Sequence, residues 1–335
     1  MRLLFRLLLL LIAAAIMVAA ALAWLAHRPV TLKADPVEFE IRPGMGLRAA
    51  AEALAATTTD LPAWQFTLLG RLAGRSAAIK AGSYELAGSL TPWIILEKLS
   101  RGDVTQSEVT FVEGWTFHQL RAALDRQPDI RHDTQGLSDA DILARIGAGE
   151  PHPEGLFFPD TYLFARSSSD LAILRRAYRT MQRRLADEWQ GRDAGVPYAS
   201  PYEALIMASI VEKETGRPED RGLVASVFVN RLRQGMLLQT DPTVIYGLGD
   251  AFDGNLRKRD LLADTPYNTY TRAGLPPTPI ALPGAASLQA ALHPPRSDKL
   301  YFVARGDGSS HFSSSLAEHN HAVDRFQRHR QGGKP

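Results

Sequence analysis

The sequence predicts an α+β chain in three parts: an N-terminal transmembrane helix, a small α/β module, and a larger mixed helical and β domain. Three observations carry that expectation. An uncharged apolar run fills residues 7–26. A short strand, a Gly-containing turn and an amphipathic helix then recur three times. The remainder alternates well-capped helices with Gly- and Pro-rich loops. The expected boundaries are a cytoplasmic tail at 1–6, the helix at 7–26, a linker at 27–36, the small module at 37–104 and the larger domain at 105–335.

The apolar run is the first element. "MRLLFRLLLLLIAAAIMVAAALAWLAHRP" carries Arg2 and Arg6 and then no charge over residues 7–26. Twenty residues at helical rise span about 30 Å, the thickness of a bilayer's hydrocarbon core. Two leading arginines and Trp24 at the far end favour an N-in orientation, with the rest of the chain outside the membrane. The alternative is a signal peptide cut after the "ALA" that precedes Trp24. Composition limits the remaining possibilities. A chain of 335 residues with 45% hydrophobic content can hold two cores, and a net charge of +2 with interspersed signs leaves no nucleic-acid footprint. The basic run "RRAYRTMQRR" at 175–184 reads as a solvated helix face. The chain has no cysteine, which excludes disulfides, thiol catalysis and thiolate-bound zinc.

The three strand and helix copies are "VEFEIRPGMGLRAAAEALA", "GSYELAGSLTPWIILEKLSRG" and "EVTFVEGWTFHQLRAALDRQ". Their β and α make-up resembles that of small wall-binding LysM modules. The next segment leads to an aromatic cluster, Phe157, Phe158, Tyr162 and Phe164, bracketed by Glu154 and Asp160. Aromatics at this density read as core. A helix is expected over about 170–189.

"ASPYEALIMASIVEKETG" then poses a choice between two glutamates. Ser200 is an N-cap, Pro201 fits the first helical position, Glu203 completes a capping box, and Gly216 stops the helix. At about 100° per residue, Ile206, Met207, Ile210 and Val211 share a face with Glu214, whereas Glu212 falls beside Ala208 and Ser209. Glu214 is therefore expected inward and Glu212 structural. A carboxyl group that is desolvated and sits at a helix C-terminus has its pKa raised twice over, which suits a general acid. The alternative is a buried Glu214 paired with Arg231.

The following helix has Leu223, Val224, Val227, Phe228 and Leu232 on one side and closes at Gly235. In "LQTDPTVIYG", Gln239, Thr240, Asp241 and Thr243 gather around Pro242, with Asp241 as N-cap of a short helix. With Tyr246, this turn has the make-up of a sugar-binding edge. "TPYNTYTRAGLPPTPIALPG" adds Tyr267, Asn268, Tyr270 and a Pro-rich loop at 275–283 that is placed to close over the site. A terminal strand pair and helix carry His311, His319 and His321 without metal-ligand spacing, so they read as satisfied or surface histidines.

"EGLFFPDTY", "ASIVEKET", "LQTDPTVIYG", "PYNTYTRAGLPPTPIALPG" and "LYFVARGDGSSHF" together resemble the endolytic murein transglycosylases of the MltG (YceG-like) family. The loop departs from that family's usual "GLPPGPI" form, and the second repeat diverges more than the other motifs. The resemblance implies a LysM-like module followed by a YceG-like domain with a lytic-transglycosylase-like active site. It implies a peptidoglycan lyase that cuts between N-acetylmuramic acid and N-acetylglucosamine within glycan strands, leaving 1,6-anhydro ends and limiting strand length. The family's glutamate before threonine lands on Glu214. Gln239, Asp241, Tyr246, Asn268 and Tyr270 are the candidates for holding sugars. No cofactor or metal is implied. Partners would be glycan strands, the inner membrane and peptidoglycan synthases such as penicillin-binding proteins, with no nucleic acid. The place is the bacterial inner membrane, single-pass, with the catalytic domain periplasmic. Two other readings stand beside it: a muramidase-type hydrolase with Asp241 or Glu154 as second carboxylate, and a non-catalytic wall-binding scaffold.

The topology is directly testable. A reporter joined after Pro335 is expected to be active only on the periplasmic side, and activity confined to the cytoplasm would reverse the orientation.

Overall fold

The computed structural model describes residues 2–42, 44–104 and 106–328. The chain divides into two compact units, one running to Glu108 and including Leu163–Ser168, the other holding Val109–Tyr162 and the chain from Ser169 onward. The division falls close to the expected module boundary, but the excursion at 163–168 belongs to the first unit. Met1 and Pro335, which enter the expected tail and the reporter fusion, lie outside the described residues.

The first unit opens with α1 (Arg2–His27), so residues 2–6 are helical in continuity with the apolar run. Within it Arg6–His27 is long and apolar enough to cross a membrane, the one such stretch among the described residues. β1 (Val37–Ile41), α2 (Leu47–Ala55), α3 (Ala63–Leu72), β2 (Gly82–Leu86) and α4 (Pro92–Arg101) come next. β1 and β2 pair antiparallel with Phe39 opposite Tyr84, their rings 5.8 Å apart. Leu47, Ala50, Ala51 and Leu54 recur at helical spacing, and α2 buries all four against Phe66 and Tyr84. Thr91 caps α4 through Ile94 N, Pro92 occupies its first turn, and Gly102 ends it at φ 76°. The expected linker is bonded into the unit: Val30 bridges Leu90 and Leu32 bridges Thr58. α3 is absent from the sequence-based expectation, because its apolar residues lie on two faces: Phe66 and Leu69 are buried while Trp64, Leu68 and Leu72 are exposed.

β3 (Gln106–Thr110) leads into the second unit, which contains α5 (Phe117–Asp125), β4 (Ile130–Arg131) and α6 (Asp139–Ile146). β5 (Thr161–Ala165) pairs with β3, and β6 (Ser168–Ser169) with β4. The third expected copy thus has its helix, but its strand takes a different partner from β1 and β2. Next come α7 (Asp170–Gly191), α8 (Pro201–Glu214), α9 (Pro218–Arg233), α10 (Asp241–Leu248), α11 (Lys258–Leu262) and α12 (Ala285–Leu292). The antiparallel hairpin of β7 (Tyr301–Ala304) and β8 (Ser310–Ser313) and then α13 (Leu316–Val323) lie toward the end of the chain. Phe157, Phe158 and Tyr162 are buried in this unit, and Phe164 is buried in the excursion that belongs to the first.

α8 is the centre of this unit, with α7, α9, α10 and α12 packed around it. Every residue from 204 to 211 is buried, so the helix has no solvent face in its middle and the single apolar face read from the sequence is too narrow a description. Ser200 Oγ accepts Glu203 N at 3.3 Å, but the Glu203 carboxylate goes to Ala199 N at 2.7 Å instead of closing the capping box. The helix ends at Glu214, because Thr215 is already extended at φ −144°, one residue before the expected stop at Gly216. The Pro-rich loop is pinned and not free to swing: Ile280 N donates to Ser209 Oγ of α8 at 3.0 Å, and residues 280–284 are buried with Thr278 beside them.

Gly155 makes that pinning possible. Its φ is +77°, and a Cβ there would lie 2.4 Å from Pro279 Cβ. Gly155→Ala is expected to cost about 2–4 kcal/mol by combining left-handed strain with overpacking, read as a lower urea midpoint for the full chain. An unchanged midpoint would show that the loop yields.

Candidate active site

Glu214, the last residue of α8, faces a cavity of about 470 Å³. Opposite stands the turn before α10. Gln239 has φ 53°, Thr240 is the N-cap residue and Asp241 the first helical residue. The expected Asp241 cap is therefore displaced by one position, and Thr240 does not cap with its side chain. Its hydroxyl instead donates to Glu214 Oε1.

A group of threonines fixes this turn. Thr240 N donates to Thr269 Oγ1 at 3.1 Å, Thr243 Oγ1 donates to Thr240 O at 2.8 Å, and Gln239 N donates to Thr269 O at 3.1 Å. Arg231 secures the other side. Its Nη1 donates to Leu237 O at 3.1 Å and Leu238 O at 2.9 Å, its Nε to Leu300 O at 2.7 Å, and its guanidinium lies 5.0 Å from the Tyr301 ring centre. No ion pair joins Arg231 to Glu214 among the described residues, so the paired-glutamate alternative does not describe this site.

Burial pushes the Glu214 carboxyl up to about 7 from its usual value of 4.5. The Thr240 hydrogen bond opposes that rise, the nearby Asp241 charge adds to it, and the Arg231 charge opposes it. The result is an acid holding a proton near neutral pH, with its conjugate base equally accessible. Glu212 has a different role: its Oε2 accepts Gly284 N at the start of α12 at 3.0 Å.

Three of the five candidate sugar-binding residues meet Glu214 at the cavity. Gln239, Asp241 and Tyr270 line it, and Tyr270 Oη donates to Asp241 Oδ1 at 2.5 Å. The other two do not line it. Asn268 is fully buried, with Nδ2 donating to Leu261 O at 3.1 Å and Ala263 O at 2.6 Å and Oδ1 accepting Tyr270 N at 2.8 Å. It shapes the loop that presents Tyr270. Tyr246 donates to Glu154 Oε2 at 3.1 Å and packs edge-on against Tyr267. The Pro-rich loop does not reach the cavity either.

Sequence reasoning missed the far wall. Tyr301, Phe302 and His319 line the cavity from β7 and α13. His319 stacks on Tyr301 with ring centres 5.2 Å apart, and its Nδ1 is buried without a hydrogen-bond partner. Burial, with the charges of Arg231 and His311, lowers its pKa from 6.5 and favours the neutral ring. Local spacing carried no signal for this, since the contact arises only when the terminal hairpin folds against α9. Glu154, the other carboxylate considered, is 3% exposed and accepts Phe117 N at 2.9 Å and Tyr246 Oη, outside the cavity. Among the described residues no cluster of three or more His, Asp or Glu side chains converges as a metal-ion site would.

A carboxyl group of raised pKa, a carboxylate beside it and a polar, aromatic wall make this cavity the candidate site for acid chemistry. The chain belongs to the YceG-like family, whose sequence profile matches residues 39–325. It is 34% identical over 268 residues to the endolytic murein transglycosylase of Bacillus subtilis, covering 75% of this chain and 74% of that one. It is 27% identical over 286 residues to the protein of the same name from Streptococcus pneumoniae, covering 73% of this chain and 50% of that relative's length. The crystal structure of a yceG-like protein from Listeria monocytogenes aligns with a TM-score of 0.55 at 31% identity, covering 86% of this chain and 98% of that one.

The buried Glu154 makes a pH-dependent contribution that can be isolated. Burial raises its pKa from 4.5 to about 7. A carboxyl group with a raised folded pKa gives stability that is fully present below the unfolded value and is lost as pH rises through the folded value. Glu154→Gln keeps the acceptor for Phe117 N and removes the titration. The native chain is expected to lose up to about 3 kcal/mol more stability than the variant between roughly pH 4.5 and 8. Thermal melts across that range check it, with Glu214 cancelling because both proteins contain it; parallel curves would remove Glu154 as the titrating group.

Proposed function

We propose that the chain is a peptidoglycan lytic transglycosylase that cuts the β-1,4 bond between N-acetylmuramic acid and N-acetylglucosamine inside glycan strands. The observation that carries this reading is Glu214, a single carboxyl group held near neutrality at the edge of an open cavity. The names of the Bacillus and Streptococcus relatives support the substrate class. Glu214 donates its proton to the glycosidic oxygen as the C1–O bond breaks. The resulting carboxylate then takes the proton of the muramic C6 hydroxyl, whose oxygen closes on C1 as the 1,6-anhydro ring. The proton returns to Glu214 and no water is consumed. A pair of carboxylates is the usual requirement of hydrolytic glycosidases; here the substrate's own hydroxyl takes the place of water.

Gln239 and Tyr270 are placed to hold sugar hydroxyls, and the Asp241 carboxylate beside Glu214 is placed to favour positive charge developing at C1. Asp241 also keeps a hydrolytic reading open, because it supplies a second carboxylate at the same cavity. In the wider reading, α1 anchors the chain in the inner membrane, the enzyme domain is periplasmic, and residues 37–104 are a LysM-like module. Cutting nascent strands beside peptidoglycan synthases would limit strand length.

Glu214→Gln is expected to lower cleavage of purified glycan strands by at least about a thousandfold, while Glu212→Gln, which retains an acceptor for Gly284 N, changes it little. The rate of the native enzyme should fall as pH rises above about 7, since Glu214 must begin protonated. Digestion in oxygen-18 water separates the mechanisms: anhydro ends without label are expected, and label at the new muramic ends would establish hydrolysis. Strand binding with no cleavage at all would leave only the scaffold reading.

A further inference from the structure

α3 presents an outward face that the proposed function does not use. Phe66, Leu69 and Gly70 turn into the core of the first unit, whereas Trp64 is 65% exposed and Leu72 61%. Leu68 is exposed between them, so large apolar groups stand at i, i+4 and i+8 on the side away from the core. A helix in a water-facing module would carry polar residues there. Arg71 is exposed on the same helix, Arg48 of α2 stands across a groove from Trp64 and Leu68 with its Nε 3.1 Å from Glu52 in that groove, and the half-buried Arg75 follows α3.

The position of this face relative to α1 gives it a partner. Arg28, the first residue beyond the apolar span, donates to Gln65 Oε1 on α3 at 3.0 Å. Leu68 and Leu72 lie three and seven residues after Gln65, on the same side of the helix. The end of the span also meets α4, with His27 and Trp93 ring centres 6.4 Å apart and the Arg75 guanidinium 5.4 Å from the Trp93 ring. Arg28 in turn lies 5.5 Å from the Trp24 ring. Trp24 and Trp93 thus stand at the point where α1 leaves its apolar stretch, and Trp64 lies on α3 next to Gln65, the residue that Arg28 bonds. Tryptophan rings with arginines beside them are the side chains that occupy the headgroup layer of a bilayer, where an apolar body and a charged or polar tip are both satisfied.

We propose that the outward face of α3, together with Trp24 and Trp93, seats the first unit on the surface of a phospholipid bilayer. This rests on reading α1 as a membrane anchor, since the bilayer must begin at its end. Trp64, Leu68 and Leu72 enter the interface as an in-plane helix does, and the exposed Arg71 takes a lipid phosphate. The unit is then held by two contacts, a spanning helix and a lying one.

The absence of cysteine makes the test direct. Single variants Ala23→Cys, Leu68→Cys and Leu72→Cys of the full chain are labelled with an environment-sensitive fluorophore. They are reconstituted into vesicles of phosphatidylethanolamine and phosphatidylglycerol. The Ala23 label reports the anchor, and the other two report α3. The expected result is that a lipid-borne nitroxide quenches most of the fluorescence at all three positions while aqueous iodide quenches little. Lipid quenching at Ala23 with only iodide quenching at Leu68 and Leu72 would overturn the proposal and leave the anchor standing. No lipid quenching at Ala23 would remove the anchor and the proposal with it. Protection from iodide at α3 that appears only with added glycan strands, or only at higher protein density, would assign the face to glycan or to a second copy and would equally overturn it.

Discussion

A helix buried on all sides can meet a substrate only at its ends, and that constraint organises the second unit. α8 is enclosed from residue 204 to residue 211, so its neighbours are obliged to supply apolar surface around its whole circumference. The Pro-rich loop is drawn into that wrapping through Ser209, and Gly155 is required because no side chain fits between it and Pro279. What emerges at the end of so constrained a helix is held with little freedom, and the residue that emerges is Glu214.

The surroundings of Glu214 are balanced between opposing influences. Complete burial without partners would make it a permanently neutral group, and an ion pair with Arg231 would make it a permanent anion. Arg231 bonds to three backbone carbonyls, which leaves its charge close enough to moderate Glu214 without forming the pair. Thr240 donates a hydrogen bond that favours the anion, while Asp241 disfavours it. The carboxyl group is therefore poised where giving up a proton and taking one back have similar ease, as the proposed succession of acid and base roles requires.

Much of this arrangement was legible in the sequence because it is local. The apolar run, the cap at Ser200, the helix at 170–189 and the buried aromatics all depend on neighbours within a few residues. The choice of Glu214 came from helix phase, although α8 proved apolar all round, a state in which periodicity loses its contrast. Composition placed Asn268 and Tyr246 among the sugar-facing residues. In the folded chain their polar atoms are occupied by the carbonyls of 261 and 263 and by Glu154, which a sequence does not disclose. His319 and Tyr301 were invisible for the converse reason, since their importance lies wholly in contacts with distant segments. α3 escaped notice because apolar residues on opposite faces erase the amphipathic pattern.

The wall built from β7 and α13 has a consequence for the order in which the enzyme comes into being. A ribosome releases Glu214 well before Tyr301 and His319, the residues that enclose it on that side. Until the terminal hairpin is made, Arg231 has no Leu300 carbonyl to bond, and the cavity lacks the wall of Tyr301 and His319. The cavity beside Glu214 is therefore complete only once β7 and α13 are in place, so its shape depends on a segment about ninety residues further along the chain.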